Sequence, residues 1–409
     1  GDDSEQGGIL LCRDWIRGCM LLGISLQFAR SFQNLLPLVV ICAVLLQFVP
    51  LVSLSPAEAA TINFIRKTIL TPSLPGAGLF ENPTTLAFGP DGLLYVGQQN
   101  GLIHVLTLDA GYNVTNVDVL YTIYNTPNYN DDKSPAPDVQ GRTLLGIVFD
   151  PDSPPSAPVM YVTHSDPRIG YNNSQEALAI DTHSGMLTRL TGPHYDDPGQ
   201  RVDLITDLPR SRENHGPNGL DWGPDGWLYF AQGGNTNNGA PSYFFSNLPE
   251  RYLTAAVLRA NVKDPGFTPF SAYSINDPGD ILTGTFEIYA TGYRNVYDIV
   301  WHSNGKLYAN DNGGNDGLGP VPGPEDGCPS TYRLSPPNQS DRLYVVNQGD
   351  YGGHPNPARG ECVFTDGTIY DPDVPPLLNY HAHIDVYDWG NSTDGIAEYT
   401  ANTFTGAML

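Results

Sequence analysis

The chain has 409 residues, of which 44 are Asp or Glu and 20 are Lys or Arg, so its formal net charge at pH 7 is −24. This acidic excess, without any run of basic residues, argues against a nucleic-acid partner, because phosphates are neutralised by a basic surface. The 44 Gly and 36 Pro argue against a helical bundle, whereas 40% hydrophobic residues argue against disorder. We therefore predict a turn-rich, mostly β, globular protein.

The first 59 residues have the pattern of a secretory leader. An uncharged, apolar run covers residues 35–54 and is followed at 57–59 by an A-x-A cleavage pattern. An uncleaved membrane anchor is the alternative, since about 20 apolar residues can just span a bilayer. We expect a signal peptide or anchor over 1–59, a single domain over 60–409, and a secreted or periplasmic location.

A hairpin pattern recurs along the expected domain. It reads LAFGPDGLLYVG at 86–97, LDWGPDGWLYFA at 220–231 and IVWHSNGKLYAN at 299–310, and a diverged copy with an expanded turn covers 145–164. In each copy, alternating apolar residues flank a tight turn, which predicts two antiparallel strands. Hairpins that repeat at such spacing, with no helical pattern between them, indicate the separate blades of an all-β β-propeller.

Three long loops interrupt the repeats, at 120–141, 235–250 and 310–340. Loops of this length in a compact domain are usually functional or disordered. In a propeller we expect them to gather at one face, over the mouth of the central channel, where a ligand would bind.

Cys328 and Cys362 are the only cysteines after the leader. Two cysteines in an exported domain predict one disulfide. The sequence also contains four N-x-S/T glycosylation sequons, which fit surface loops of a secreted protein, at Asn113, Asn172, Asn338 and Asn391.

Taken in chain order, the motifs of residues 80–409 resemble those of the soluble quinoprotein glucose and sorbosone dehydrogenases. The matching segments are NPTTLAFGPDGLLYVGQQNGLIHVL, QGRTLLGIVFDPD, ENHGPNGLDWGPDGWLYFAQGGNTNNG, EIYATGYRNVYDIVWHSNGKLYANDNGGN, RLYVVNQGDYGGHPN and STDGIAEYTANTFTG. The resemblance implies a six-bladed propeller that binds pyrroloquinoline quinone and Ca²⁺, oxidises a sugar or polyol, and passes electrons to an external acceptor. In that family, basic residues of the last blade hold the cofactor's carboxylates. The sequence ends at Leu409, so we expect this blade to be incomplete here.

The resemblance assigns roles to two pairs of neighbouring residues. His215, with Asn214 beside it on the substrate side, occupies the position of the family's catalytic base, and a neutral imidazole is suited to taking a hydroxyl proton near pH 7. Arg294 and Asn295, in TGYRN, match the family's cofactor-binding pair. A guanidinium offers a planar surface and fixed donors to the quinone oxygens, where negative charge develops.

Two further assignments depart from the family pattern. Gly313 and Gly314 occupy the positions whose backbone carbonyls bind Ca²⁺, but the family usually has Gly-Pro there. Gln140 matches a substrate-side Gln, although the residues after it differ from the family's. Tyr351, in GDYGGHPN, is interpreted as part of a structural turn.

Two functions are open at this point. The first is a secreted quinoprotein that oxidises a sugar or polyol, with His215 as general base. The second is a non-catalytic extracellular propeller that binds a glycan or a protein, or assembles a matrix; in that case His215 merely caps a loop and Arg294 forms a salt bridge with Asp298. Convergence of His215, Gln140, Arg294 and the glycine carbonyls on one pocket would favour the enzyme.

Overall fold

Strands and loops make up nearly all of the residues that the computed structural model describes, which are 80–168, 181–197, 199–212, 214–273, 282–330, 335–365, 377–387, 392–400 and 407–408. The leader, Asn172 and Asn391 lie outside them. The chain divides into two compact units, and the described residues all belong to the second, Lys67–Leu409. Within these residues no helix has the length and apolar character needed to cross a membrane. The same residues include three short 3₁₀ helices, at Tyr243–Phe245, Pro324–Asp326 and Pro357–Arg359.

The first two sheets are antiparallel meanders. Blade 1 contains, in spatial order, β1 (Pro83–Phe88), β2 (Leu94–Gln98), β3 (Ile103–Leu108) and β4 (Val114–Leu120). Blade 2 contains β5 (Thr143–Phe149), β6 (Val159–Ser165), β7 (Gly185–Thr191) and β8 (Arg201–Leu208). A two-residue strand further along the chain, β12 (Phe270–Ser271), pairs in parallel with the outer edge of blade 2.

Two more four-stranded sheets follow. Blade 3 contains β9 (Pro217–Trp222), β10 (Leu228–Gln232), β11 (Ala256–Ala260) and β13 (Phe286–Thr291). Blade 4 contains β14 (Val296–His302), β15 (Lys306–Asp311), β16 (Arg342–Val346) and β17 (Asp385–Val386). Beyond blade 4, a two-stranded sheet is formed by β18 (Glu398–Tyr399) and β19 (Ala407–Met408).

The first strand of each blade contacts the first strand of the next, so that β1, β5, β9 and β14 follow one another. This is the arrangement of a β-propeller, and each of the four predicted hairpins starts a separate blade, as expected. The prediction of six blades is wrong for the described residues, which form four. The equivalent aromatic residues Phe88, Phe149, Trp222 and Trp301 lie 61, 73 and 79 residues apart, so the stretch from β1 to β17 holds four blades.

One aromatic contact recurs between successive blades. Tyr95 of β2 packs edge-on against Phe149 of β5, with ring centroids 4.8 Å apart. Tyr161 of β6 meets Trp222 of β9 at 5.3 Å in the same way. The third pair, Tyr229 and Trp301, joins blades 3 and 4 with a centroid distance of 5.2 Å. These edge-to-face pairs lie within the apolar clusters that fill the space between blades.

Candidate functional site

A polar cavity of about 320 Å³ lies where the loops of blades 3 and 4 meet. The side chains and backbone that line it come from segments far apart in sequence: Arg212, Asn214, His215, Phe245, Arg294, Asn295, Asn312, Gly313, Asn315, Leu318, Gln339, Asp341 and Ser392. Five of the residues predicted from sequence are therefore brought together: Asn214, His215, Arg294, Asn295 and Gly313.

His215 lies just before β9, where the chain enters blade 3. Its Nδ1 is 2.6 Å from the carbonyl oxygen of Gly234. Because a carbonyl can only accept, Nδ1 carries the proton and Nε2 keeps its lone pair. Burial, together with the nearby guanidinium of Arg294, holds the pKa of His215 well below its usual range. The imidazole is thus neutral at pH 7, in the tautomer that a general base requires.

Arg294 is buried, and the oxygens that its guanidinium contacts belong to amide groups. Nε donates to the carbonyl oxygen of Asn237 at 3.1 Å, Nη2 to Oδ1 of the same residue at 3.0 Å, and Nη1 to the carbonyl oxygen of Asn312 at 3.3 Å. Burial lowers the pKa of Arg294 to about 10, so the group remains cationic at neutral pH. Asp298, considered as its partner, instead accepts from the backbone amides of Ile299 and Ile396.

Asn295 lines the cavity and has an unsatisfied side-chain donor. Its backbone amide donates to Oδ1 of Asp311 at 2.7 Å, and its side-chain Oδ1 accepts from Asn218 at 3.0 Å. Its Nδ2 is buried and has no hydrogen-bond partner among the described residues. A buried donor without a partner is costly, so a polar ligand that accepted from Nδ2 would be stabilised here.

Phe245 joins the two predicted catalytic-site groups into one wall. The His215 ring packs edge-on against it, with a centroid distance of 5.0 Å. The Arg294 guanidinium carbon lies 5.8 Å from the centre of the same ring, and that of Arg212 lies 5.7 Å away. The His215 ring centre and the Arg294 guanidinium carbon therefore lie within about 11 Å of each other, close enough for one bound ligand pair to contact both.

Of the two predicted calcium ligands, one lines the cavity and the other does not. Gly313 lines the cavity, and its amide donates to Oδ1 of Asp341 at 2.9 Å. Gly314 does not line it, and its carbonyl oxygen accepts from the amide of Gln339 at 2.8 Å. A carbonyl oxygen has a second lone pair, so this bond does not prevent metal ligation. The Asp341 carboxylate adds a further oxygen donor of the kind that Ca²⁺ takes.

Gln140 is not among the residues that line this cavity. It is exposed, its Oε1 accepts from the Tyr124 hydroxyl at 3.2 Å, and it lines a separate cavity formed by residues 124–140. The cause is Arg142, which is buried in blade 2, where Nη1 donates to Asn128 Oδ1 at 2.8 Å. This anchor fixes the end of the loop, so Gln140 remains within its own loop.

The remaining predicted residues lie outside the cavity. Cys328 and Cys362 form the predicted disulfide, with Cα atoms 5.5 Å apart. Asn113 and Asn338 are exposed, as glycosylation acceptors must be, and their modification stays a prediction. Tyr351 is fully buried, and its hydroxyl donates to the carbonyl of Val363, which is in keeping with a structural role.

Several lining residues were not predicted from the sequence. Arg212 and Phe245 belong to no motif that the sequence analysis identified, and Asp341 follows a long Gly- and Pro-rich loop. The one available signal was loop length, since Phe245 falls within 235–250 and the glycines within 310–340. Loop length marks a region but does not indicate which side chains turn inward.

A second polar cluster lies in blade 2. Single ligand atoms of Asp131, Asp181 and His183 lie within 4.8 Å of one another, as metal ligands would. The ammonium of Lys133 is 3.4 Å from Asp181 and 2.8 Å from Asp207. Because Lys133 already pairs with Asp181, and the amide and hydroxyl of Thr182 both donate to Asp131, we assign no metal to the cluster.

No protein-family model matches the sequence. The chain is 25% identical over 320 residues to quinoprotein glucose dehydrogenase B of Acinetobacter calcoaceticus, an alignment covering 76% of this chain and 56% of that protein. The chain thus spans little more than half the length of this relative. The match confirms the resemblance to soluble quinoprotein sugar dehydrogenases that the motifs predicted.

The solved structures that align with part of this chain include a sugar dehydrogenase and a putative glucose dehydrogenase. The PQQ-bound aldose sugar dehydrogenase of Streptomyces coelicolor aligns with a TM-score of 0.44 and 18% identity over 75% of this chain and 68% of that one. A putative oxidoreductase (glucose dehydrogenase) of Thermus thermophilus aligns with a TM-score of 0.40 and 19% identity over 75% of this chain and 70% of that one.

Proposed function

We propose that this protein is a secreted quinoprotein-type oxidoreductase that oxidises a hydroxyl group of a sugar or polyol, with His215 as the general base. One observation carries the proposal: a neutral imidazole and a buried guanidinium, 79 positions apart in the numbering, share one polar cavity. The hydrogen bonds of the two side chains end on different groups, Gly234 for His215 and Asn237 with Asn312 for Arg294. Their convergence is therefore better explained by a ligand that requires both.

The cavity suits a planar, polar cofactor. Its volume of about 320 Å³ lies within the range of about 300–1,000 Å³ that is typical of small-molecule sites. Arg294 would lie against pyrroloquinoline quinone, and Asn295 would donate to it through Nδ2. Ca²⁺ would take oxygen ligands from Gly313 and Asp341. When bound, the quinone supplies an acceptor for the hydride that leaves the substrate carbon, and an external acceptor then removes the two electrons.

The chain's own residues supply the proton transfer. Nε2 of His215 takes the proton from the substrate hydroxyl as the hydride leaves the carbon. Loss of this proton and this hydride converts the alcohol to a carbonyl. The bond from Nδ1 to Gly234 stabilises the imidazolium that results. Arg294 and Asn295 hold donors where negative charge develops, and they are already in place before the reaction.

The disulfide between Cys328 and Cys362 supports a location outside the cytoplasm, where such bonds form and persist. The proposed enzyme is therefore secreted, acts on sugars or polyols, and passes electrons to an external acceptor.

The test begins with the purified protein, to which pyrroloquinoline quinone and CaCl₂ are added. We expect a stoichiometric quinone absorption band and dye-linked oxidation of aldoses. His215→Ala should abolish turnover while leaving quinone uptake largely intact, because the base acts on the substrate. His194→Ala, at an exposed histidine, is the matched control. Full turnover in His215→Ala would refute the base, and a wild-type protein that takes up no quinone would leave the non-catalytic binding propeller as the better account.

A further inference from the structure

The group that orients His215 is a backbone carbonyl, and that carbonyl needs its own support. Gly234 follows β10 and accepts from His215 Nδ1 at 2.6 Å. Its amide donates to the carbonyl oxygen of Arg294 at 2.7 Å. Three residues later, Asn237 receives two hydrogen bonds from the Arg294 guanidinium. The segment 234–237, here called the bridge segment, is therefore bonded to both proposed site residues.

A buried carboxylate holds the bridge segment from behind. Glu250 Oε2 accepts from the amide of Asn235 at 3.0 Å, and Oε1 accepts from the amide of Thr236 at 2.9 Å and from its hydroxyl at 2.6 Å. The Glu250 side chain is 0% exposed, and His354 Nε2 lies 2.9 Å from Oε1. Two consecutive backbone amides thus end on one carboxylate, which fixes the direction of the peptide that precedes them.

The packing around Gly234 leaves little space for adjustment. A Cβ atom at this position would lie 2.9 Å from the carbonyl oxygen of Arg294, 3.1 Å from Glu250 Oε1 and 3.3 Å from His354 Nε2. These distances are at or below ordinary contact, so the backbone is held on three sides. Loss of one side would let the peptide at Gly234 rotate away from His215.

The Glu250 carboxyl is suited to remaining ionised in this place. Burial alone would raise its pKa, but hydrogen bonds from His354, Thr236 and Thr254 outweigh burial and leave the pKa below its usual range. Hydrogen bonds to a carboxylate are stronger than those to a neutral acceptor. An amide in place of the carboxylate would weaken all of them and present a donor where an acceptor is needed.

We propose that Glu250 is a positioning residue: through the bridge segment it holds the Gly234 carbonyl on Nδ1 of His215, and so sets the tautomer of the base. It touches neither the proposed substrate nor the proposed cofactor. The inference rests on the proposed function, but its first readout does not require activity.

That readout is the tautomer of His215 in the protein without added cofactor. In protein labelled with ¹⁵N-histidine, two-bond ¹H–¹⁵N spectra distinguish Nδ1–H from Nε2–H, and His215→Asn assigns the signal. We expect wild type to show Nδ1–H alone and Glu250→Gln to show a mixture with Nε2–H. Glu287→Gln, which removes a more exposed carboxylate paired with Arg259 elsewhere in blade 3, should leave the signal unchanged.

The second readout is turnover of the protein loaded with quinone. Glu250→Gln should lower kcat at least about tenfold, with KM changed much less, because the base is misoriented while the substrate contacts remain. If circular dichroism shows that Glu250→Gln fails to fold, Thr236→Val is measured in the same way. This variant removes the hydroxyl bond to the carboxylate, together with the bond that the hydroxyl accepts from the Gly239 amide.

The outcomes separate the two proposals. A folded variant that keeps both the Nδ1–H signal and kcat overturns the positioning role of Glu250. A tautomer shift in a protein whose wild type oxidises no sugar supports the positioning role and overturns the enzymatic proposal. A fall in kcat with the His215 tautomer unchanged also overturns the inference, because the loss then has another cause.

Discussion

Asp298 makes the stability of the propeller depend on pH. It lies in β14, and its carboxylate stands against β9, where a Cβ on Gly219 would come within 2.1 Å of Oδ1. Two backbone amides donate to it, from Ile299 at 2.9 Å and Ile396 at 3.3 Å. Burial raises the pKa of this carboxyl to about 7, and the neighbouring Asp221 contributes in the same direction. The carboxyl is therefore largely protonated in the folded protein at pH 6.

The sign and size of the effect follow from linkage. The ordinary pKa of 3.8 applies in the unfolded chain, and about 7 applies in the folded state. Below about pH 4 both states are protonated and the group costs nothing. As the pH rises the unfolded chain ionises first, so the free energy of unfolding falls until about pH 7 and is then constant. At about 1.4 kcal/mol per pH unit, the loss approaches an upper limit of about 4 kcal/mol.

Asp298→Asn removes the charge but keeps the shape. The amide nitrogen of Asn cannot accept the bond from the Ile396 amide, which costs the variant a similar amount at every pH. Relative to wild type, we therefore expect the variant to gain stability as the pH rises from 4 to 8. Urea unfolding followed by near-UV circular dichroism from pH 4 to 9 measures the difference. Asp138→Asn, at an exposed position, controls for the change in net charge. Equal pH dependence in wild type and Asp298→Asn would show that the Asp298 carboxyl ionises normally in the folded protein.

Two further changes test the packing around the site. Replacing both Cys328 and Cys362 by Ala should lower the free energy of unfolding by about 4 kcal/mol, because the disulfide closes a loop with a sequence separation of 34. Urea unfolding of the wild type without and with reductant gives the comparison. An unchanged unfolding midpoint would contradict the loop-closure estimate. Gly219→Ala should cost about 1–3 kcal/mol or more, because the new methyl group would lie 2.1 Å from Oδ1 and 2.7 Å from the backbone Cα of Asp298. The double variant with Asp298→Ala should regain only part of that loss, because the contact with the backbone remains.

The hairpins could be predicted because their determinants are local. In blade 1, Asp91 Oδ1 accepts from the amide of Leu93 at 3.1 Å, and its Oδ2 accepts from the Tyr95 hydroxyl at 2.7 Å. Asp225 repeats both contacts in blade 3, with Trp227 at 3.2 Å and Tyr229 at 2.9 Å. Turn and tyrosine are thus coupled by one carboxylate. The glycine between them adopts a positive φ, at Gly92 and again at Gly226, which explains why the triplet ends in Gly.

The order of blades could also be predicted, since each tyrosine meets an aromatic residue at the end of the next blade's first strand. Phe149, Trp222 and Trp301 occupy equivalent places in the repeat and pack on the preceding blade. The number of blades could not be obtained in the same way. It depends on how much chain the loops between strands take up, and no local pattern fixes that length.

The site was predicted only where a residue adjoins a strand. His215 precedes β9 and Arg294 precedes β14, so their positions follow from the strand pairing. Phe245 and Glu250 lie within a long loop, and their inward direction depends on contacts with distant backbone. Gln140 was predicted to line the same cavity, but it lies elsewhere. The position of its loop depends on the buried Arg142 that follows it, which bonds to the distant Asn128, and the sequence motif does not show this contact.

Strand pairing explains why turns and site do not interfere with each other. In blade 3, Trp222 pairs with Leu228 at the end of the hairpin that carries the turn, and Pro217 pairs with Gln232 at the opposite end. The chain enters at that opposite end from His215 and leaves it toward Gly234. Because an antiparallel hairpin has its turn at one end and its two termini at the other, every blade sends its variable loops to the same side. The turn sequences can therefore repeat for stability, while the loops at the termini differ from blade to blade and supply the chemistry.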